Sequence, residues 1–132
     1  MRRLLLDTTF LIDADRGGDT LDDVIGDDDD VAVASITIAE LRVGVLLAEG
    51  KHRSDRLAFV DDVLATIPVV DYDLSVAAAH AQLLIEVRRR GRPRGAHDLI
   101  IAATAGASSR TVLTADQSAF DDLTGVNAEP HR

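Results

Sequence analysis

The 132-residue sequence has no cysteine and no tryptophan, and only one tyrosine, three phenylalanines and three prolines. Without cysteine there can be no disulfide, no thiolate metal site and no thiol nucleophile, and a reducing compartment is the natural setting. Aromatic residues make up 3% of a chain that is 46% hydrophobic, so its core must be built from Leu, Val, Ile and Ala. That mixture packs helices onto a parallel sheet. Long apolar runs are also missing: the longest, at residues 99–107, falls well short of the roughly 20 residues that span a bilayer. The opening Met1-Arg2-Arg3-Leu4-Leu5-Leu6 starts like a signal peptide, but Asp7 and Asp13 interrupt it too early. A soluble, cytoplasmic protein with no membrane association is expected. Basic residues are outnumbered 14 to 23 by acidic ones, giving a net charge of -9. This excludes a protein that coats nucleic acid by bulk attraction, but not a nuclease whose acids bind metal.

Length and composition fit one domain covering residues 1–132. Leu4-Leu5-Leu6 reads as a buried strand, with Asp7-Thr8-Thr9 as its turn into a helix carrying Phe10, Leu11 and Ile12 and ended by Gly17-Gly18. Asp19 or Thr20 can cap a small helix holding Leu21, Val24 and Ile25. The acidic run at residues 27–30 reads as a solvated surface turn. A second buried strand at 31–34 leads at Ser35 into a helix with Ile38, Leu41, Val45 and Ala48 on one face, Glu40 in its first turn and Gly50 as its stop. A helix over 54–65 repeats Leu57, Val60 and Leu64. Residues 67–70, marked by Pro68, suit a sheet edge. The next helix starts at Asp73 or Ser75, places Val76, His80, Leu83, Leu84 and Val87 on a stripe, and ends with Arg88-Arg89-Arg90 and Gly91. A very apolar helix follows His97-Asp98, then a strand at 111–114, a short helix near 118–122 and a weak strand at 126–128. Alternating strands and helices imply an α/β fold: a three-layer α/β/α sandwich around a mostly parallel sheet of four to five strands.

Four acids stand out: Asp7, Glu40, Asp98 and Asp116. Each has an ordinary role open to it. Asp7 and Asp116 could cap the helices that follow, Thr37-Ile38-Ala39-Glu40 matches a capping box, and Asp98 suits the dipole of a first helical turn. Jointly, however, Asp7 and Asp116 both follow strands, at the sheet edge where Glu40 begins a helix after another strand. In open α/β sheets that edge is where ligands bind. Each acid lies in apolar sequence without a nearby basic partner, and clustered carboxylates in such surroundings call for a cation. Oxygen-only donors select Mg²⁺ or Mn²⁺ over zinc, and such ions serve phosphoryl chemistry.

The stretches Leu6-Asp7-Thr8-Thr9-Phe10-Leu11-Ile12, Ser35-Ile36-Thr37-Ile38-Ala39-Glu40-Leu41, His97-Asp98-Leu99-Ile100-Ile101-Ala102-Ala103 and Leu113-Thr114-Ala115-Asp116 resemble, in order and spacing, a PIN-domain ribonuclease of the VapC toxin type. The resemblance covers essentially the whole chain. It implies the toxin of a toxin-antitoxin pair, a metal-dependent endoribonuclease that hydrolyses RNA through metal-activated water. On that analogy Asp7, Glu40, Asp98 and Asp116 bind Mg²⁺ or Mn²⁺, and Thr8, Thr9 and Thr114 orient carboxylates, water or phosphate. It also implies a homodimer and a VapB-like antitoxin whose tail fills the active-site groove. One departure is Ala119, which precedes Phe120 where many relatives have a further acid. This bears on a second metal site, not on the quartet.

Arg88, Arg89, Arg90, Arg92 and Arg94 form the densest basic segment and lead towards Asp98, which makes Arg92 and Arg94 candidates for RNA phosphate contacts. Helix capping in solvent is the alternative. His80 and His97 read as structural, because the chemistry needs no imidazole. Two other classes of function remain open. A phosphatase of the haloacid dehalogenase type or a receiver also places Asp after its first strand, but the first wants an acid where Thr9 stands and the second wants a lysine near the last strand. A non-catalytic α/β interaction domain would use the acids only as caps.

Overall fold

Three successive leucines can all be buried only if both faces of their strand are covered. In a computed structural model, which describes residues 1–17 and 21–131, Leu4, Leu5 and Leu6 each have no solvent exposure. They form β1 (Arg3–Leu6) at the centre of a five-stranded sheet, with β2 (Asp30–Ala34), β3 (Val69–Val70), β4 (Thr111–Thr114) and β5 (Ala128–Pro130). The order is β3-β2-β1-β4-β5 and every neighbouring pair is parallel. The expected α/β sandwich is therefore present, with all five strands parallel.

Alternation along the strands sorts the core into two layers. Leu4, Leu6, Val33 and Leu113 pack with Phe10 and Leu11 of α1 (Thr8–Asp15), Leu41 and Val45 of α3 (Ser35–Leu47), and Val60 and Val63 of α4 (Gly50–Thr66). Leu5, Ala32, Ala34 and Val112 face the opposite way, onto α5 (Leu74–Arg90) and α6 (Ala96–Ala107). A short α2 (Leu21–Val24) lies between α1 and β2. Strand order reverses direction at β1, with β2 and β3 on one side and β4 and β5 on the other. The crevice between β1 and β4 is thus a topological switch point.

Several local expectations need correction. Gly50 does not stop α3; that helix ends at Leu47, and Gly50 opens α4, which is longer than the pattern suggested. The buried face of α4 is Val60 and Val63, whereas Leu57 and Leu64 are each 40% exposed. The last strand lies two residues later than its apolar residues indicated, and only Gln117–Ala119 is helical, as a 3-10 turn, before it. The acidic run is not simply solvated. The Arg2 side chain and amide, with the Gly26 amide, bond the Asp29 carboxylate and hold it far below the usual carboxylate range. Asp30 opens β2 and meets Arg3 and Arg110 at 2.8 and 3.0 Å. These pairs tie the amino ends of β1, β2 and β4. The α5 helix starts and stops as its sequence indicates, with Asp73 accepting the Val76 amide and Gly91 in the left-handed region (φ 64°). The predicted helix signals at Gly18, Asp19 and Thr20 lie outside the described residues. Among the described residues no helix is long and apolar enough to cross a membrane.

Candidate active site

All four acids stand at the carboxyl edge of the sheet or on the helices that border it. Asp7 directly follows β1, and its amide donates to the Leu113 carbonyl at 2.9 Å, extending the ladder with β4 by one residue. Its side chain is 1% exposed. It occupies the N-cap position of α1 without a side-chain capping bond. Instead Oδ2 accepts two hydroxyls, from Thr114 at 2.6 Å and Thr9 at 2.7 Å. Each hydroxyl in turn accepts a backbone amide after β4: Thr114 that of Asp116 at 2.9 Å, and Thr9 that of Ala115 at 3.2 Å. Two threonines thus fix one oxygen of Asp7 and the start of the segment carrying Asp116.

Thr114 is the hub of this arrangement and is fully buried. Thr114→Val keeps its shape but strands the Asp116 amide and removes a hydroxyl from Asp7. A loss of about 1–3 kcal/mol is expected in urea unfolding, with Thr114→Ser close to wild type. Equal stability of the two variants would contradict this role.

Glu40 is the sixth residue of α3, beyond its first turn, and no capping box forms, since Ala34 holds the N-cap position and Thr37 lies inside the helix. Its Oε1 accepts the Thr8 hydroxyl at 2.8 Å, and Thr8 also lies 3.1 Å from the buried Thr37 hydroxyl. Its Oε2 is 3.4 Å from Nδ1 of His97. Asp116 is exposed at the rim, where Oδ1 accepts the Ser118 hydroxyl at 2.6 Å and makes no capping bond. Asp98 lies in the first turn of α6, as its spacing indicates. Glu40, His97 and Asp98 share a shallow cleft with Gly95 and Ala96.

The electrostatics tie the four together. Burial pushes the Asp98 carboxyl up, and the charges of Asp7, Glu40 and Asp116 push it further, with His97 opposing. Burial also raises Asp7, against the hydroxyl bonds of Thr114 and Thr9 that favour its charged form. Among the described residues none of the four is paired with lysine or arginine. An oxygen-only set of mutually repelling carboxylates is the donor chemistry of a hard divalent cation. Glu40 and Asp98 line the cleft while Asp7 and Asp116 do not, and among the described residues no three acids or histidines are arranged to hold a metal ion as they stand. The elements bring the donors to one edge, and rotation of the exposed ones is needed to complete a shell.

His97 and Ser118 were not legible as site neighbours, because a helix-start histidine and a loop serine carry no spacing signal. Gly95 was missed for the same reason. A Cβ built on it would lie 2.8 Å from Asp98 Oδ2, so only glycine lets that carboxylate rest where it is. His80 is structural, with Nδ1 2.8 Å from the Tyr72 hydroxyl. Arg92 and Arg94 do not reach into the acid cluster. Arg94 donates to the Asp121 carbonyl at 2.8 Å, and Arg92 meets the Asp122 carboxylate at 3.3 Å.

Comparison with known proteins converges on one family. The PIN domain model matches residues 4–126. Ribonuclease VapC5 of Mycobacterium tuberculosis is 39% identical over 125 residues, 92% of this chain and 88% of that protein. The tRNA(fMet)-specific endonuclease VapC of Salmonella typhimurium is 31% identical over 75% of this chain and 74% of its own. The crystal structure of VapBC-5 from Mycobacterium tuberculosis, a member of the VapBC family of toxin-antitoxin systems, contains a chain that superposes with a TM-score of 0.81 at 33% identity, covering 98% of this chain and 99% of that one. The chain therefore belongs to the PIN-domain family and, within it, to the VapC-type nucleases.

Proposed function

We propose that this chain is the toxin of a toxin-antitoxin pair, an endoribonuclease that hydrolyses RNA phosphodiester bonds with Mg²⁺ or Mn²⁺ bound by Asp7, Glu40, Asp98 and Asp116. One observation supports the reading: four separate elements bring a carboxylate each to the carboxyl edge of the sheet, with none of the four paired to lysine or arginine among the described residues, and Asp98 feels the charges of the other three. When bound, the ion supplies Lewis acidity that lowers the pKa of a water and neutralises charge on the phosphate. The chain's own groups do the positioning. Thr9 and Thr114 fix Asp7, Thr8 fixes Glu40, Ser118 orients Asp116, and Gly95 leaves room for Asp98. The solved VapBC relatives support a VapB-like antitoxin as partner. A homodimer and a cytoplasmic site of action belong to the same proposal.

The test is incubation of the purified protein with total RNA, with Mn²⁺, with Mg²⁺ or with chelator, followed by mapping of the new RNA ends. Discrete cleavage in metal alone is expected. Cleavage that persists in chelator, or none with either ion, would refute the reading.

Gly95→Ala offers a finer check. The backbone at Gly95 (φ -58°, ψ 139°) suits any residue, so stability should change little, while the new methyl displaces the Asp98 carboxylate. Metal-supported cleavage should fall about tenfold, as for disturbed support of a ligand. A variant with wild-type activity would show that Asp98 tolerates displacement.

A further inference from the structure

Among the described residues, the segment joining α5 to α6 makes an unusual set of contacts with the loop after β4. Arg90 donates to the Asp122 carbonyl, Arg94 Nη2 to the Asp121 carbonyl at 2.8 Å, and Arg92 Nη1 meets Asp122 Oδ2 at 3.3 Å. Glu86 adds a fourth link, accepting the Thr124 amide at 3.1 Å and lying 3.7 Å from Arg90. Asp122 holds a left-handed backbone (φ 60°), a turn conformation that aspartate tolerates better than most residues. Arg94 is half-buried, and its Nε is enclosed without a partner, so its guanidinium is set into the loop rather than extended into solvent.

Both ends of this link lead to candidate metal ligands. Arg94 precedes Gly95, whose missing side chain leaves the space the Asp98 carboxylate takes up. Asp121 and Asp122 follow the 3-10 turn that Asp116 opens, with Phe120 buried between them and that turn. We propose that Arg94 and Arg90 form an internal brace that sets the separation of Asp98 from Asp116, making them positioning residues for the metal site rather than RNA contacts. The inference rests on the metal-dependent reading of that site.

The experiment compares Arg94→Ala, Arg94→Lys and Arg90→Ala with Arg89→Ala, which removes an exposed charge from the same segment without touching the loop. Three quantities are measured: the Mn²⁺ dissociation constant by calorimetry, kcat and KM for RNA cleavage, and the salt dependence of RNA binding. The brace predicts about tenfold weaker Mn²⁺ binding and lower kcat in Arg94→Ala, partial rescue in Arg94→Lys, and unchanged KM and salt slope. Arg89→Ala should match wild type in Mn²⁺ affinity. An RNA-contact role predicts the reverse: wild-type Mn²⁺ affinity, raised KM and a salt slope smaller by about one. That result, or a variant altered only in melting temperature, would overturn the brace. If Arg94→Ala does not fold, Arg94→Lys and Arg90→Ala decide by the same measurements. Failure of the wild-type protein to bind Mn²⁺ or cut RNA would instead refute the functional reading beneath it.

Discussion

Asp98→Asn is expected to lower metal-supported RNA cleavage by about a hundredfold or more while leaving the metal-free protein folded and, at neutral pH, more heat-stable than wild type. The two effects have one cause. Burial and three like charges raise the carboxyl of Asp98, so in the fold its charged form is disfavoured unless a cation answers it. A carboxyl raised above its unfolded value of about 3.9 contributes stability that is full below that pH and lost as pH rises through the folded value. Asp7 is raised as well, so the metal-free protein should lose this contribution upward from about pH 4. Asp29 and Glu86, both lowered, change in the opposite sense as the pH falls. The difference between wild type and variant isolates Asp98. Melting temperatures from pH 4 to 8, with chelator and with Mn²⁺, should show Asp98→Asn gaining on wild type as pH rises in chelator and losing that advantage in Mn²⁺. Greater destabilisation of the variant at pH 7 in chelator would mean that Asp98 is a structural acid, and the assignment would fail.

Phe10→Ala is expected to cost about 3–5 kcal/mol and to lower the melting temperature by about 10–20 °C. Phe10 is fully buried between the sheet and α3, and its ring meets that of His131 edge-on, with centroids 4.9 Å apart. Its neighbours in this layer are aliphatic side chains that relax only partially into the space the ring leaves. Since α1 also carries Thr8 and Thr9, the loosened helix should weaken support of Asp7 and Glu40 together. Phe10→Leu, which keeps most of the volume, should lose less than about 1.5 kcal/mol. Urea unfolding of the two variants checks this, and a loss below 1 kcal/mol in Phe10→Ala, well under that estimate, would contradict the packing described.

What could be read from the sequence was what depends on near neighbours. Leu4-Leu5-Leu6 and Thr111-Val112-Leu113 announce buried strands by their own composition, and α5 carries both its caps within its sequence. The four acids could be singled out as candidates because each lies near the start of a helix or the end of a strand that was recognisable. What stayed hidden was set by partners far along the chain. Glu40 looked like a capping acid until Thr8, 32 residues earlier, claimed its carboxylate. Asp29 and Asp30 looked solvated, yet their partners are Arg2, Arg3 and Arg110. The arginines before Asp98 looked like a groove for phosphates, and their donors turn to the loop at Asp121 and Asp122. Parallel register is equally non-local, which is why β5 was placed two residues early. The departure at Ala119 is consistent with its position, since it packs partly buried against the α5 and α6 layer beside Phe120.

The central place of β1 also orders events during synthesis. β1 is made well before its neighbour β4, which pairs with it across more than a hundred residues, Leu6 against Leu113. At about 5–20 residues per second, several seconds pass before the second half of the sheet exists. Until then Asp7 lacks the Thr114 hydroxyl. The support of Asp7 is thus shared between the two halves of the sheet, and its carboxylate is fixed only once β4 has paired with β1.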